Sequence, residues 1–182
     1  MRELSLNILD IAQNSIAAGA KNITLTVNAQ DNLLKIAVKD DGKGMTQEFL
    51  AQVTDPFTTT RTTRKVGMGL PLLQQEAQKS GGEFVIESQK GLGTKVEASF
   101  EIDNIDRLPL GDLAETLVSL ILTNPQIDFT LHYAVEDRQF EFDTKQVKKI
   151  LDGVPIESYE IIAYIRELLT ENIKEVNGGI SL

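Results

Sequence analysis

Four short stretches hold residue types that could do chemistry together. Asp40-Asp41-Gly42-Lys43-Gly44-Met45 sets an acidic pair ahead of a glycine-interrupted turn. A carboxylate fixed at a strand end can accept a hydrogen bond from an exocyclic amine, and the glycines let a ligand lie against bare backbone. Asp10 and Asn14 are four residues apart, so on a helix both leave from one face. A carboxylate and an amide one turn apart suit a hydrated Mg²⁺ and can orient a water, because hard cations prefer oxygen ligands. Gly67-Met68-Gly69 opens a helix-like run beginning Leu70-Pro71-Leu72, where backbone N–H groups and the positive end of the dipole would face an anion. Arg61, Arg64 and Lys65 stand just upstream and could close over the same anion. The fourth stretch, Gly91-Leu92-Gly93-Thr94, reads as a tight turn. Each has a plain structural reading as a turn, a solvated helix face or a loop; the set of four points to one nucleotide site.

The elements that must position them follow from periodicity. Apolar residues at 4, 8, 11, 12 and 16 make a helical stripe that Gly19 ends, and the Asp10–Asn14 face is offset from it. Residues 22–28 alternate and are rich in β-branched side chains, and Asp31-Asn32 turns them into a second strand over 33–39 as an antiparallel hairpin. Thr46 is a predicted N-cap for a short helix, residues 55–69 read as a mobile lid, and a helix over 70–79 stops at Ser80-Gly81-Gly82. Two more strands, 83–88 and 95–102, flank the Gly91–Thr94 turn. This order predicts an α+β two-layer sandwich, with one mixed, mostly antiparallel sheet covered by helices.

Charge divides the chain. Residues 1–100 carry 11 acidic and 11 basic side chains, whereas residues 101–182 carry 16 acidic and 7 basic, so the net charge of −9 lies wholly in the second part. That balance argues against a nucleic-acid surface there, since phosphate backbones demand clustered Lys and Arg. The expected division is 1–104 and 105–182. With no cysteine and one histidine, thiolate chemistry and multi-histidine metal sites are excluded. His132 falls in a predicted strand and reads as a structural or surface residue. No apolar run approaches the length of a membrane span and no signal peptide is evident, so the expectation is a cytoplasmic protein without a membrane partner.

Taken in order, the four stretches resemble the GHKL superfamily, which groups gyrase, a class of heat-shock chaperones, the histidine kinases and the mismatch-repair ATPases, and whose nucleotide site is the Bergerat fold. The resemblance covers roughly residues 1–102. Asp10 to Ser15 looks like the N-box, Asp40 to Met45 the first glycine box, Gly67 to Leu70 the second and Gly91 to Thr94 the third, while Asp55 to Thr60 is similar to the phenylalanine box. It implies ATP and Mg²⁺ as cofactors. Asp40 would take the adenine amino group, with Gly42, Gly44 and Met45 beside it and Thr94 supporting the base; Asn14, with Asp10, would hold the metal. Phe57, Thr58, Thr59, Arg61, Lys65, Gly67, Met68, Gly69 and Leu70 would form the lid and phosphate side. Asp10 would be the catalytic residue, although hydrolysing members usually carry Glu there. The shorter side chain withdraws the carboxylate by about 1.5 Å, a displacement that costs rate.

Residues 105–182 read as a small α-β-β-α-α module: a helix over 112–122, a hairpin across Glu136-Asp137, a helix from Asp143 or Thr144 to Leu151 and a last helix over 158–176. It holds no phosphate loop and no catalytic constellation. The expectation is an acidic interaction or regulatory unit with a core of its own and an unidentified protein partner; a homodimer through the apolar 113–122 helix is a further expectation. With no phosphoacceptor segment ahead of residue 1, a kinase of this kind would act on a separate protein. The functions implied are a slow Mg²⁺-dependent ATPase or such a kinase, or else a non-catalytic nucleotide sensor.

Overall fold

The computed structural model describes residues 3–53 and 69–182. Its elements are α1 (Leu4–Ala17), β1 (Asn22–Gln30), β2 (Leu33–Asp40), α2 (Gln47–Leu50), α3 (Gly69–Lys79), β3 (Phe84–Gln89), β4 (Gly93–Glu101), α4 (Leu113–Thr123), β5 (Asp128–Val135), β6 (Arg138–Asp143), α5 (Thr144–Leu151) and α6 (Tyr159–Asn177). The predicted punctuation works as its chemistry requires. Gly19 leaves α1 with φ +78°, and Asp31 and Asn32 both take positive φ in the two-residue turn between β1 and β2. Thr46 caps α2 by accepting from Phe49 N, and Asp112 caps α4 by accepting from Glu115 N.

All six strands belong to one sheet in the order β3-β4-β2-β1-β5-β6. Every pairing is antiparallel except β1 with β5, which run parallel with Leu25 opposite Leu131. Alternation decides which face is buried. Ile23, Leu25, Val27 and Ala29 of β1, Leu34, Ile36 and Val38 of β2, and Phe129, Leu131, Tyr133 and Val135 of β5 point into the helix layer. Lys35, Lys39 and His132 lie on the opposite, solvated face. The two layers are those expected.

The second half does not stand apart. Its hairpin extends the first half's sheet, and a single hydrophobic core runs through both, so the expected unit with a separate core is instead packed into the same layers. The apolar α4 that had suggested a dimer is core: Leu113, Leu117, Val118, Leu120 and Ile121 are at most 1% exposed. Nothing local to the 105–182 sequence states that β5 will seek β1, because a parallel partner is fixed by packing over long separations. The chain between β4 and α4 also closes the start of α1, whose Leu4 and Ser5 N–H groups donate to the carbonyls of Pro109 and Leu110 at 2.9 and 2.7 Å. No side chain caps that helix.

Because Leu131 is fully buried at the β1–β5 seam, Leu131→Ala should cost about 2–5 kcal/mol. It should lower the midpoint of one cooperative transition. Two separated transitions in thermal or urea melts would show that the halves fold independently.

Candidate functional site

The sheet end at the C-terminus of β2 carries the polar part of the site. Asp40 is 8% exposed, the one buried charged side chain among the described residues. A carboxylate withdrawn from water must have its lone pairs filled. Ser15 Oγ donates to Asp40 Oδ2 at 2.6 Å, and the Gly42 amide donates to Oδ1 at 2.8 Å. The serine hydroxyl also lies 3.2 Å from the Ile11 carbonyl, but the shorter bond to a carboxylate is the stronger one. Each oxygen keeps lone-pair capacity for a further donor.

The neighbouring Asp41 does different work. It is exposed and accepts from Lys21 N, Asn22 N and Asn22 Nδ2 at 2.8, 2.9 and 2.7 Å. Burial pushes its carboxyl up, but the donors from Asn22 and Lys21 outweigh this and hold it below the usual aspartate range. The acidic pair thus separates into a buried acceptor and a clamp on the start of β1.

The turn after Asp40 is held against the end of α1 and the β3–β4 turn. Lys43 N donates to the Ala18 carbonyl at 3.0 Å, Gly91 N to the Lys43 carbonyl at 2.8 Å, and Met45 N to Ser88 Oγ at 2.8 Å. Gly44 has φ +62°, and a Cβ there would stand 2.0 Å from the Gln89 carbonyl oxygen. Gly93 has φ +107°, and its Cβ would stand 2.0 Å from the Asp40 carbonyl oxygen. Both positions are therefore closed to other residues by geometry and by contact. Thr94 follows Gly93 and lies in register with Asp40 on one side and Ser88 on the other.

On α1, Asp10 is half-buried and Asn14 exposed, on the shared face their spacing dictates. The first residue of α3 abuts them: a Cβ on Gly69 would lie 3.3 Å from Asp10 Oδ2. The start of an eleven-residue helix, where N–H groups lack intrahelical partners, thus stands beside the carboxylate. Leu70 turns inward and packs on the core. Burial raises the pKa of Asp10 above the usual aspartate range.

Asp10, Asn14, Asp40, Gly42, Gly44, Met45, Gly69, Leu70 and Thr94 are thereby placed on α1, the β2 end with its following turn, the start of α3 and the start of β4. Phe57, Thr58, Thr59, Arg61, Lys65, Gly67 and Met68 lie outside the described residues. Two hydroxyls were missed as site residues, Ser15 and Ser88. Ser15 had a readable signal, since it falls beside the apolar stripe of α1, where a polar group needs a partner. Two oxygen donors from one helix face fit a cation that keeps most of its waters, as Mg²⁺ does. Among the described residues no cluster of three or more acidic or histidine ligands competes with them, and no helix is long and apolar enough to cross a membrane.

Residues 1–104 match the family described as histidine kinase-, DNA gyrase B-, and HSP90-like ATPase. The chain is similar to histidine protein kinase DivJ of Caulobacter vibrioides, 32% identical over 106 residues that make up 56% of this chain and 18% of that protein. It is similar also to sporulation kinase E of Bacillus subtilis, 36% identical over 96 residues, 52% of this chain and 13% of that one. The match therefore spans less than a fifth of either kinase. Among solved structures, the N-terminal domain of a DNA repair protein superposes with a TM-score of 0.54 at 14% identity, covering 79% of this chain and 52% of that chain. At that identity the likeness is one of fold.

The raised Asp10 pKa has a sign that can be checked. The folded protein holds this proton more tightly than the unfolded chain, so stability falls as pH rises through the interval between the two pKa values and stays lower above it. Asp10→Asn should accordingly melt higher than the parent at pH 7, and the gap should close on acidification; equal melting at pH 7 would contradict the burial argument.

Proposed function

The chain belongs to the histidine kinase-, DNA gyrase B-, and HSP90-like ATPase family, and on that footing we propose that it binds ATP with Mg²⁺ in this cleft and releases or transfers the γ-phosphoryl group. The observation that carries the reading is the buried Asp40 carboxylate, held by Ser15 and Gly42 beside Gly93 and Thr94. A purine amino group is the donor such an acceptor suits. Asp10 and Asn14 are the residues to hold the metal, and the start of α3 at Gly69 is the anion-facing helix end. When bound, Mg²⁺ supplies neutralisation of phosphate charge. The protein's own part is to orient the nucleotide, to exclude bulk water, and to accept a proton at the Asp10 carboxylate.

Of the two outcomes of phosphoryl transfer, attack by water would be slow, because the Asp10 carboxylate reaches less far than a glutamate would. A kinase acting on a separate protein is the other outcome, and the similarity to histidine kinases favours it. Its partner would be recognised through the acidic residues beyond 104. A purely sensing role, with ATP bound but not turned over, is the remaining reading, and the short Asp10 side chain is what favours it.

Calorimetry should register uptake of ATP by the parent protein and a loss of at least tenfold for Asp40→Asn, the scale of one charged hydrogen bond to a buried group. No uptake by the parent, or equal uptake by the variant, would overturn the reading. With Mg²⁺ and labelled ATP, steady phosphate release marks an ATPase, label on a partner protein marks a kinase, and retention without turnover marks a sensor. Asp10→Glu should raise any hydrolysis rate.

A further inference from the structure

The outer face of α6 breaks two rules of helix stability at once. Ile162, Ile165, Leu169 and Val176 turn inward and are buried. Glu160, Tyr164, Glu167, Glu171 and Glu175 stand on the opposite side, all exposed. Glu167 with Glu171, and Glu171 with Glu175, are like charges one turn apart, which destabilises a helix. Glu171 and Glu175 also approach the C-terminal end at Asn177, where the dipole favours cations. Nothing within the chain relieves either fault. Among the described residues none of these four carboxylates has an ion-pair partner, and Arg166 of the same helix is turned to Glu115 at 2.7 Å. Local rules broken with no internal gain point to a use outside the chain.

The spacing says which use. Ile161, Tyr164 and Leu168 fall at i, i+3 and i+7, the a-d-a rhythm of a helix seam. Tyr164 is 64% exposed, and Ile161 and Leu168 lie partly buried at the shoulder of the core. Glu160 and Glu167 each precede an a residue, which is the g position, whose charge selects the partner. Glu171 closes the seam at the next d position. We propose that this face docks a basic amphipathic helix of another protein, its aliphatic side chains on Ile161, Tyr164 and Leu168 and its Lys or Arg side chains against Glu160, Glu167 and Glu171. The open ring of Tyr164 offers a guanidinium a further contact. A second copy of this chain is refused, since it would bring acids to acids. From Glu160 to Glu171 the row spans about 16 Å, three turns of helix. The docking face gives a place to the partner recognition proposed above, on which it rests, and needs no bound nucleotide.

Two synthetic peptides of about three heptads test this on the full chain without nucleotide, both with leucine at a and d, one with lysine and the other with glutamate at e and g. Fluorescence anisotropy should show the lysine peptide bound and the glutamate peptide free. Glu167→Lys with Glu171→Lys should weaken the lysine peptide about tenfold and admit the glutamate peptide, the effect of exposed ion pairs turned repulsive. Lysines toward the C-terminal end of α6 suit its dipole, so this variant should fold. The same charge change at Glu83 and Glu87, exposed at the β3 edge far from α6 in the sheet order, should leave both affinities near the parent's. Tyr164→Ala, which keeps the charge, should weaken the lysine peptide about threefold. No binding of the lysine peptide by the parent overturns the proposal. So do equal losses from the two charge reversals, which would mark attraction to net charge only. ATP uptake measured on the same samples keeps the two readings apart. If uptake is absent while the peptide preference holds, the nucleotide reading falls and the docking face stands; if uptake is present while the preference fails, only the docking face falls.

Discussion

A buried carboxylate is tolerable only where donors meet it, and the contact between Asp40 and Ser15 is the one on which the rest of this structure depends. It joins the end of β2 to the last turn of α1 at 2.6 Å. With that bond in place, the face of α1 that carries Asp10 and Asn14 has a fixed rotation relative to the sheet. Apolar packing alone would leave the rotation looser, because a helix stripe slides over a sheet with little directional preference. The Gly42 amide completes the shell of Asp40 from the following turn. Local chemistry at one side chain therefore sets the relation between the end of β2 and the helix face that carries Asp10 and Asn14.

The glycines around this carboxylate serve approach as much as flexibility. At Gly93 the β4 backbone comes so close to Asp40 that no Cβ fits, and at Gly44 the same holds against Gln89. Two turns, one after β2 and one between β3 and β4, are packed backbone against backbone. Side chains are excluded from this backbone contact, and of the hydroxyls at its edge Ser88 is tied to main chain and Thr94 to Ser88. Such a contact is set before any ligand arrives, which lowers the ordering cost of binding.

How much of this could be read from residues alone follows the range of the interactions. The α1 stripe, the Asp31-Asn32 turn and the cap at Thr46 are local, and the spacing of residue types located them. Asp40 could be singled out as a candidate from its place between a strand and Gly-x-Gly, although that pattern is also an ordinary turn signal, while the separate duty of Asp41 could not, since it depends on where Asn22 lies in space. Ser15 and Ser88 are ordinary residues whose partners are 25 and 43 positions away. The parallel pairing of β1 with β5 spans about a hundred residues and involves two strands that each alternate normally, so nothing in either one names the other. Charge asymmetry suggested a seam near residue 104, yet charge says nothing about which strands share a core, and here one core runs through both halves.

The closure of α1 by Pro109 and Leu110 bears on how this protein can be cut. The family match ends at residue 104, and a cassette trimmed there would lose both carbonyls that receive the first amides of α1, and Leu110 N with its bond to the Leu182 carbonyl at 3.0 Å. It would also expose one whole edge of β1. The helix bearing Asp10 and Asn14 would then begin with unpaired N–H groups and fray from its first turn, so in this chain the boundary of sequence similarity is not a boundary of mechanical integrity.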